Sequence, residues 1–165
     1  MEAATAYLMA MLTGGNAPVS PSVVWSTATT LINTGTDAGV NNLAMAVTSG
    51  TTYLIAAQAC YVTGASAGTP VFTFHGPAVS MATLDTDFLD SNAGTVTASR
   101  VLNGSLGSSA TGPAMTASNT CAYRATGLAT FSASGTLSLQ AHTSSSSDPF
   151  TCQVGSFLAL TPLPA

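Results

Sequence analysis

An all-β sandwich is the fold this sequence predicts, on three observations. The last third of the chain, Gly127 to Thr161, alternates apolar and polar residues: Leu137, Leu139 and Ala141 fall on one face while Ser138 and Gln140 fall on the other, the period of a half-buried strand. Short runs rich in β-branched and aromatic residues recur along the rest of the chain, separated by Gly, Pro, Ser and Asn turn signals. No convincing helical stretch follows residue 22. A half-buried strand must be covered by a second sheet, so some eight to ten short strands are expected to pack as a sandwich.

The elements follow in order. In residues 1–12, Ala4, Tyr7, Leu8, Met11 and Leu12 lie at helical spacing, and Gly14-Gly15 would end any helix there. Such a helix is too short to stand alone, so residues 1–21 read either as a frayed terminus or as an arm that orders by docking on a neighbouring subunit, with Pro18 and Pro21 marking an extended linker. The domain is expected to span residues 22–165. Val23 to Ile32 reads as a strand, Asn33 to Asn42 as a turn-prone segment and Leu43 to Thr48 as a second strand.

Tyr53 to Thr63 is the longest strand candidate. Tyr53, Ile55, Ala57, Ala59 and Tyr61 share one face, and Leu54, Ala56, Gln58, Cys60 and Val62 share the other. Both are mostly apolar, as in a central strand or one buried again by a subunit contact. Val71 to His75 is stopped by Gly76-Pro77. From Ala78 to Met115 the signals weaken, and long surface loops with one or two edge strands are expected around Val79 to Leu84 and Val96 to Leu102. Thr116 to Arg124, Gly127 to Phe131, Leu137 to Ala141 and Cys152 to Leu160 complete the strands.

At 165 residues the chain fits one domain whose core needs no disulfide or metal staple. Charged residues make up only 5% of it, against roughly 25% in ordinary soluble domains. There is no lysine, and Arg100 and Arg124 are the only strong bases, so nucleic acid and anionic membrane are poor partners. With a net charge of -4, solubility rests on a hydroxyl-rich surface or on burial of surface in an assembly, and the assembly is the favoured reading. No run reaches the roughly 18 apolar residues of a membrane span, and Glu2 stands where a secretory leader would carry a base. Cys60, Cys121 and Cys152 cannot all pair within one chain. They read as core thiols made in a reducing cytoplasm, with a Cys121–Cys152 bridge as the alternative.

Candidate chemistry is thin. Gly64-Ala65-Ser66-Ala67-Gly68 has the form of a nucleophile elbow, with Asp85 and His142 following in triad order. The elbow needs a helix directly after its serine, whereas Thr69-Pro70 and a β-type run follow, so a plain loop is the reading. Asp85, Asp87 and Asp90 could offer oxygens to a hard cation, but the glycine and terminal glutamate of a calcium loop are missing, and a solvated acidic loop is expected. His75 and His142 are far apart and have no second ligand at metal-like spacing. Each reads as a strand or loop histidine held by local hydrogen bonds. No catalytic residue, metal or cofactor is assigned.

The closing segment, GTLSLQAHT from Gly135 and TCQVGSFLAL from Thr151, resembles the terminal strands of virion proteins from tailed phages of actinobacteria. There a "GTL.LQ.A" strand, a polar loop and a "GS.L" strand end a jelly roll similar to the C1q/tumour-necrosis-factor type. Thr52-Tyr53-Leu54-Ile55 and Val71 to Pro77 look like that family's "TY" and "F.F.GP" strands. The resemblance covers roughly residues 43–77 and 119–161, while the family's tryptophan and arginines near the last two strands are absent. It implies a jelly-roll sandwich and a structural virion role. The expectation is a homotrimeric decoration protein on the head, partnered by the major capsid protein. A small tail, baseplate or adhesin-type protein using loops at residues 78–118 is the alternative.

Overall fold

The computed structural model describes residues 20–64, 69–92, 95–103, 106–114, 118–145 and 147–164, without the side chains of Asn41 and residues 90–103. Twelve strands are found among them: β1 (Ser22–Trp25), β2 (Thr30–Ile32), β3 (Ala38–Val47), β4 (Thr52–Thr63), β5 (Pro70–His75), β6 (Val79–Asn92), β7 (Thr95–Asn103), β8 (Ala110–Thr111), β9 (Thr120–Phe131), β10 (Gly135–Thr143), β11 (Phe150–Cys152) and β12 (Phe157–Pro162). No helix occurs among the described residues. The large sheet runs β1-β12-β4-β9-β6-β7, with β11 bridging β2 and β4, and the small sheet runs β3-β10-β5-β8. Every pairing is antiparallel.

Without the short β2/β11 pair and the β6–β7 hairpin, eight principal strands remain, and their order is that of a jelly roll. The first pairs with the last in one sheet, and the second with the penultimate in the other. The two sheets face each other across a core in which alternation along β4 is complete. Tyr53, Ile55, Ala57, Ala59 and Tyr61 are buried, as their shared parity predicts. At its centre, Phe72 of the small sheet stacks on Tyr123 of the large sheet at 4.5 Å and 7°, with Tyr61, Phe88 and Phe150 at 5.6–6.2 Å around it. These offset rings contribute beyond the area they bury. Burial also pushes the Tyr123 phenol well above its usual range.

Several expected boundaries shift. Of the turn-prone segment Asn33 to Asn42, residues 33–37 do turn, while Ala38 to Asn42 belong to β3, where Gly39 to Ala44 oppose only Gln140 to Ser138. The surplus residues form a bulge, and Asn42 turns it in the left-handed region, φ 60°. Residues 78–115, expected as long loops with one or two edge strands around Val79 to Leu84 and Val96 to Leu102, hold those two strands as the longer β6–β7 hairpin, which extends the large sheet along β9 with β7 at its edge. Their Ser, Thr and Gly content is weakly patterned, and strand pairing decided the outcome. The runs expected over Thr116 to Arg124 and Gly127 to Phe131 are joined from Thr120 on in the single strand β9, Thr116 and Ala117 lying outside the described residues. Gly127 sits inside it because a Cβ there would lie 1.9 Å from the Thr83 carbonyl oxygen on β6.

The run Cys152 to Leu160, expected as one strand, splits into β11 and β12 around Gly155, φ 87°. The gap is sealed by Ser156, which is fully buried. Its hydroxyl accepts the Cys60 N–H at 3.0 Å and donates to the Gln153 carbonyl at 2.9 Å. The serine therefore replaces the ladder bond that the break removes.

Candidate functional site

Strand pleating gives each sheet an outer face, and the two are chemically unlike. On the small sheet, outward positions are polar and bonded to one another. His75 donates from Nε2 to Asp37 Oδ2 at 2.6 Å, and His142 donates from Nδ1 to Asp37 Oδ1 at 2.6 Å. Asp37 stands just before β3, so one carboxylate ties the crossover from β2 to both β5 and β10. The crossover is further held by the Thr143 N–H on the Thr34 carbonyl at 3.0 Å. Gln140 donates to Ser138 and Thr73 to Ser109 on the same face. Partial burial works against the charge on Asp37, but the hydrogen bonds from His142 and His75 and their attraction outweigh it, and its pKa is lowered.

The outer face of the large sheet is apolar over β1 and β12 and becomes polar toward β6, which carries Asp85 and Asp87. Register places Trp25, Phe157 and Gln58 side by side with Arg124 and Asp87, and Val23, Ala159 and Ala56 beside Thr126 and Asp85. Leu54 and Leu128 continue it in a third row. Trp25 is 56% exposed and Val23 40%, and the Trp25 ring leans on Phe157 at 5.2 Å. Across β1, β12, β4 and β9 the one outward charge is Arg124, whose Nε donates to Gln58 Oε1 at 3.2 Å. An exposed tryptophan in a contiguous apolar strip marks a surface meant for contact. Leu31, 59% exposed, extends the apolar surface on β2.

The residues singled out in sequence are distributed as follows. Asp85 and Asp87 lie half-buried on strand β6, not on a loop, and Asp90 is on the same strand with its side chain outside the described set. Among the described residues, no three His, Cys, Asp or Glu side chains form a metal-holding group. Ser66 falls outside the described residues. Asp85 on β6 and His142 on β10 lie on opposite outer faces, so these two triad candidates are not brought together. His75 and His142, 67 positions apart in the chain, do share a partner, and the sequence carried no signal naming Asp37.

All three cysteines are free. Cys121 and Cys152 each pair with Tyr61 from opposite sides of β4, roughly two strand spacings or 9–10 Å apart, beyond disulfide reach. Burial, followed by the proximity of Cys60, pushes the Cys152 thiol up to about 12. Cys60 departs from the expected core position. It is half-buried on the outer face, where Gln58 Nε2 donates to its sulfur at 3.2 Å.

No family model matches the chain, and no curated protein sequence matches it. Among solved structures, a chain from the structure of the infectious bursal disease virus Gt strain overlaps 88% of this chain at 12% identity, with a TM-score of 0.24. This chain spans only 38% of that one. The score is too low for anything to be carried over from it.

Proposed function

We propose that this chain is a structural virion protein of a tailed phage, a capsid decoration protein that binds the exterior of the head as a homotrimer and stabilises the shell. The observation that carries this reading is the apolar outer face of the large sheet. A monomer with 5% charged residues and an exposed Trp25–Phe157 strip leaves that face in water, whereas packing three copies around an axis removes it. At about 25 cal/mol per Å² of apolar surface, such burial is the dominant driving force for association. The jelly-roll order agrees with the fold that the terminal-strand resemblance implies, and the major capsid protein is the partner the reading requires.

The alternative, a small tail, baseplate or adhesin-type protein, needs residues 78–118 as recognition loops. Most of that stretch is strand, and β6–β7 extends the sheet edge. The deciding experiment is the copy number relative to the major capsid protein, from quantitative mass spectrometry of purified particles. Hundreds of copies in a simple ratio to the capsid subunit are expected. A few dozen or fewer would move the protein to the tail, and absence from particles would refute a virion role.

A further inference from the structure

Trp25 stands on β1, the edge strand of the large sheet, paired only with β12. Its ring is 56% exposed, and the ring contact it makes within the copy is with Phe157, at 5.2 Å and 51°. An indole at a sheet edge can reach past its own molecule. The face of an aromatic ring is the negative side of its quadrupole and attracts cations. A guanidinium suits it best, being flat and weakly hydrated.

The same face carries that cation. Arg124 is exposed on β9, in the row that runs Trp25, Phe157, Gln58, Arg124 and Asp87 across five strands. It is the one charged residue of β1, β12, β4 and β9. Three strand spacings, about 14 Å, separate it from Trp25, with Phe157 and Gln58 between them. Gln58 Oε1 holds the Arg124 Nε at 3.2 Å, so part of the side chain's freedom is lost before any partner arrives. Asp87, opposite Arg124 on β6, keeps a carboxylate one strand away, which lessens the cost of carrying the guanidinium into an apolar contact. Symmetry then says which ring meets this cation. A threefold ring of identical chains is built from heterologous contacts, in which one patch meets a different patch on the next copy. The large sheet offers two such patches of complementary charge, an aromatic edge on β1 and β12 and a cationic centre on β9.

We propose that the Trp25 ring of each copy stacks on Arg124 of the next, closing the ring of three. This rests on the homotrimer proposed above and names the pair of residues at its contact. The test is a double-substitution cycle on the full-length chain, with Trp25→Leu, Arg124→Gln and both together, association being measured by sedimentation equilibrium. Both positions are exposed, so the fold tolerates the changes. Each single variant is expected to weaken association by about tenfold or more, and the pair by little more than either alone, because both remove the same contact. Trp25 is the chain's single tryptophan, so its emission should shift when the wild type dissociates on dilution. A wild type that forms trimers while the two effects multiply, or whose Trp25 emission is the same before and after dissociation, would overturn this contact and leave the trimer standing. A wild type that stays monomeric at every concentration would overturn both.

Discussion

The two outer faces of this sandwich cover the same core and are built from strands of the same kind, yet only one is finished as a surface. On the small sheet, His75, His142, Asp37, Gln140 and Ser138 hydrogen-bond among themselves, so the face satisfies its own polar groups and needs nothing more. On the large sheet, Trp25, Val23, Phe157, Ala159 and Ala56 leave apolar area in water, with one hydrogen-bonded arginine among them. Burial cannot have produced the difference, because both faces point away from the core. What a strand must bury fixes only alternate residues. The other half of each strand is free to differ, and here it separates a self-sufficient face from one that asks for a neighbour.

The largest effect should come from what the two faces share. Phe72→Ala removes the ring on which both sheets converge and should cost about 3–5 kcal/mol, read as a fall in the urea midpoint. A loss below about 1 kcal/mol would mean that the sheets are held mainly by something other than this aromatic cluster.

Next, in the proposed homotrimer Trp25→Glu should weaken association by a factor of about 100 or more and leave a monomer, followed by light scattering on a sizing column. Gln140→Glu on the small sheet should leave the mass unchanged. Equal behaviour of the two variants would erase the functional contrast between the faces.

A smaller effect belongs to the polar face. Asp37→Asn should cost about 1–2 kcal/mol at pH 7, because it weakens two charge-assisted hydrogen bonds that are partly screened by solvent. The Asp37 pKa is lowered in the folded state, so its contribution is fully present above the unfolded value of about 3.9 and disappears as pH falls through the folded one. The wild type should therefore lose stability faster than Asp37→Asn on acidification below about pH 4. Parallel curves would show that the carboxylate contributes nothing to this face.

The smallest effect is chemical. A maleimide should modify Cys60 in the Trp25→Glu variant, leave Cys121 and Cys152 untouched because they are buried, and react slowly or not at all with the wild type if its large-sheet face is covered in the proposed assembly. Rapid labelling of Cys60 in the wild type would show that this face stays open to solvent, and would count against its being the proposed interface.

The alternation of Tyr53 to Val62 was readable directly, since adjacent side chains on a strand point to opposite sides whatever the strand pairs with. The inward set is buried and the outward set half-buried, as the sequence implied. The same local logic exposed the Leu137 to Ala141 strand and the absence of helix among the described residues from 22 onward. It went wrong where the deciding contact was distant. Asn33 to Asp37 do turn, but Ala38 to Asn42 join β3 once β10 pairs there and makes the surplus residues a bulge. In residues 78–115 the two expected edge-strand runs were legible, but their extension into the long β6–β7 hairpin depends on β9 supplying an edge for β6. Gly127 reads as a boundary until the Thr83 carbonyl shows why no side chain fits there.

The candidate face divides in the same way. Sequence alone determined that this chain is all-β, nearly uncharged and apolar on both sides of its central strand, because composition and period-two patterning are properties of neighbouring residues. Tertiary structure alone decided that Trp25 and Phe157 complete that strand's outer face and that His75 and His142 meet at Asp37. It also decided that Cys121 and Cys152 stay apart on either side of Tyr61. Each of those outcomes depends on which strands lie side by side, a choice made by burying both sheets' inner faces at once, and it links residues up to 138 positions apart, Ser22 and Leu160.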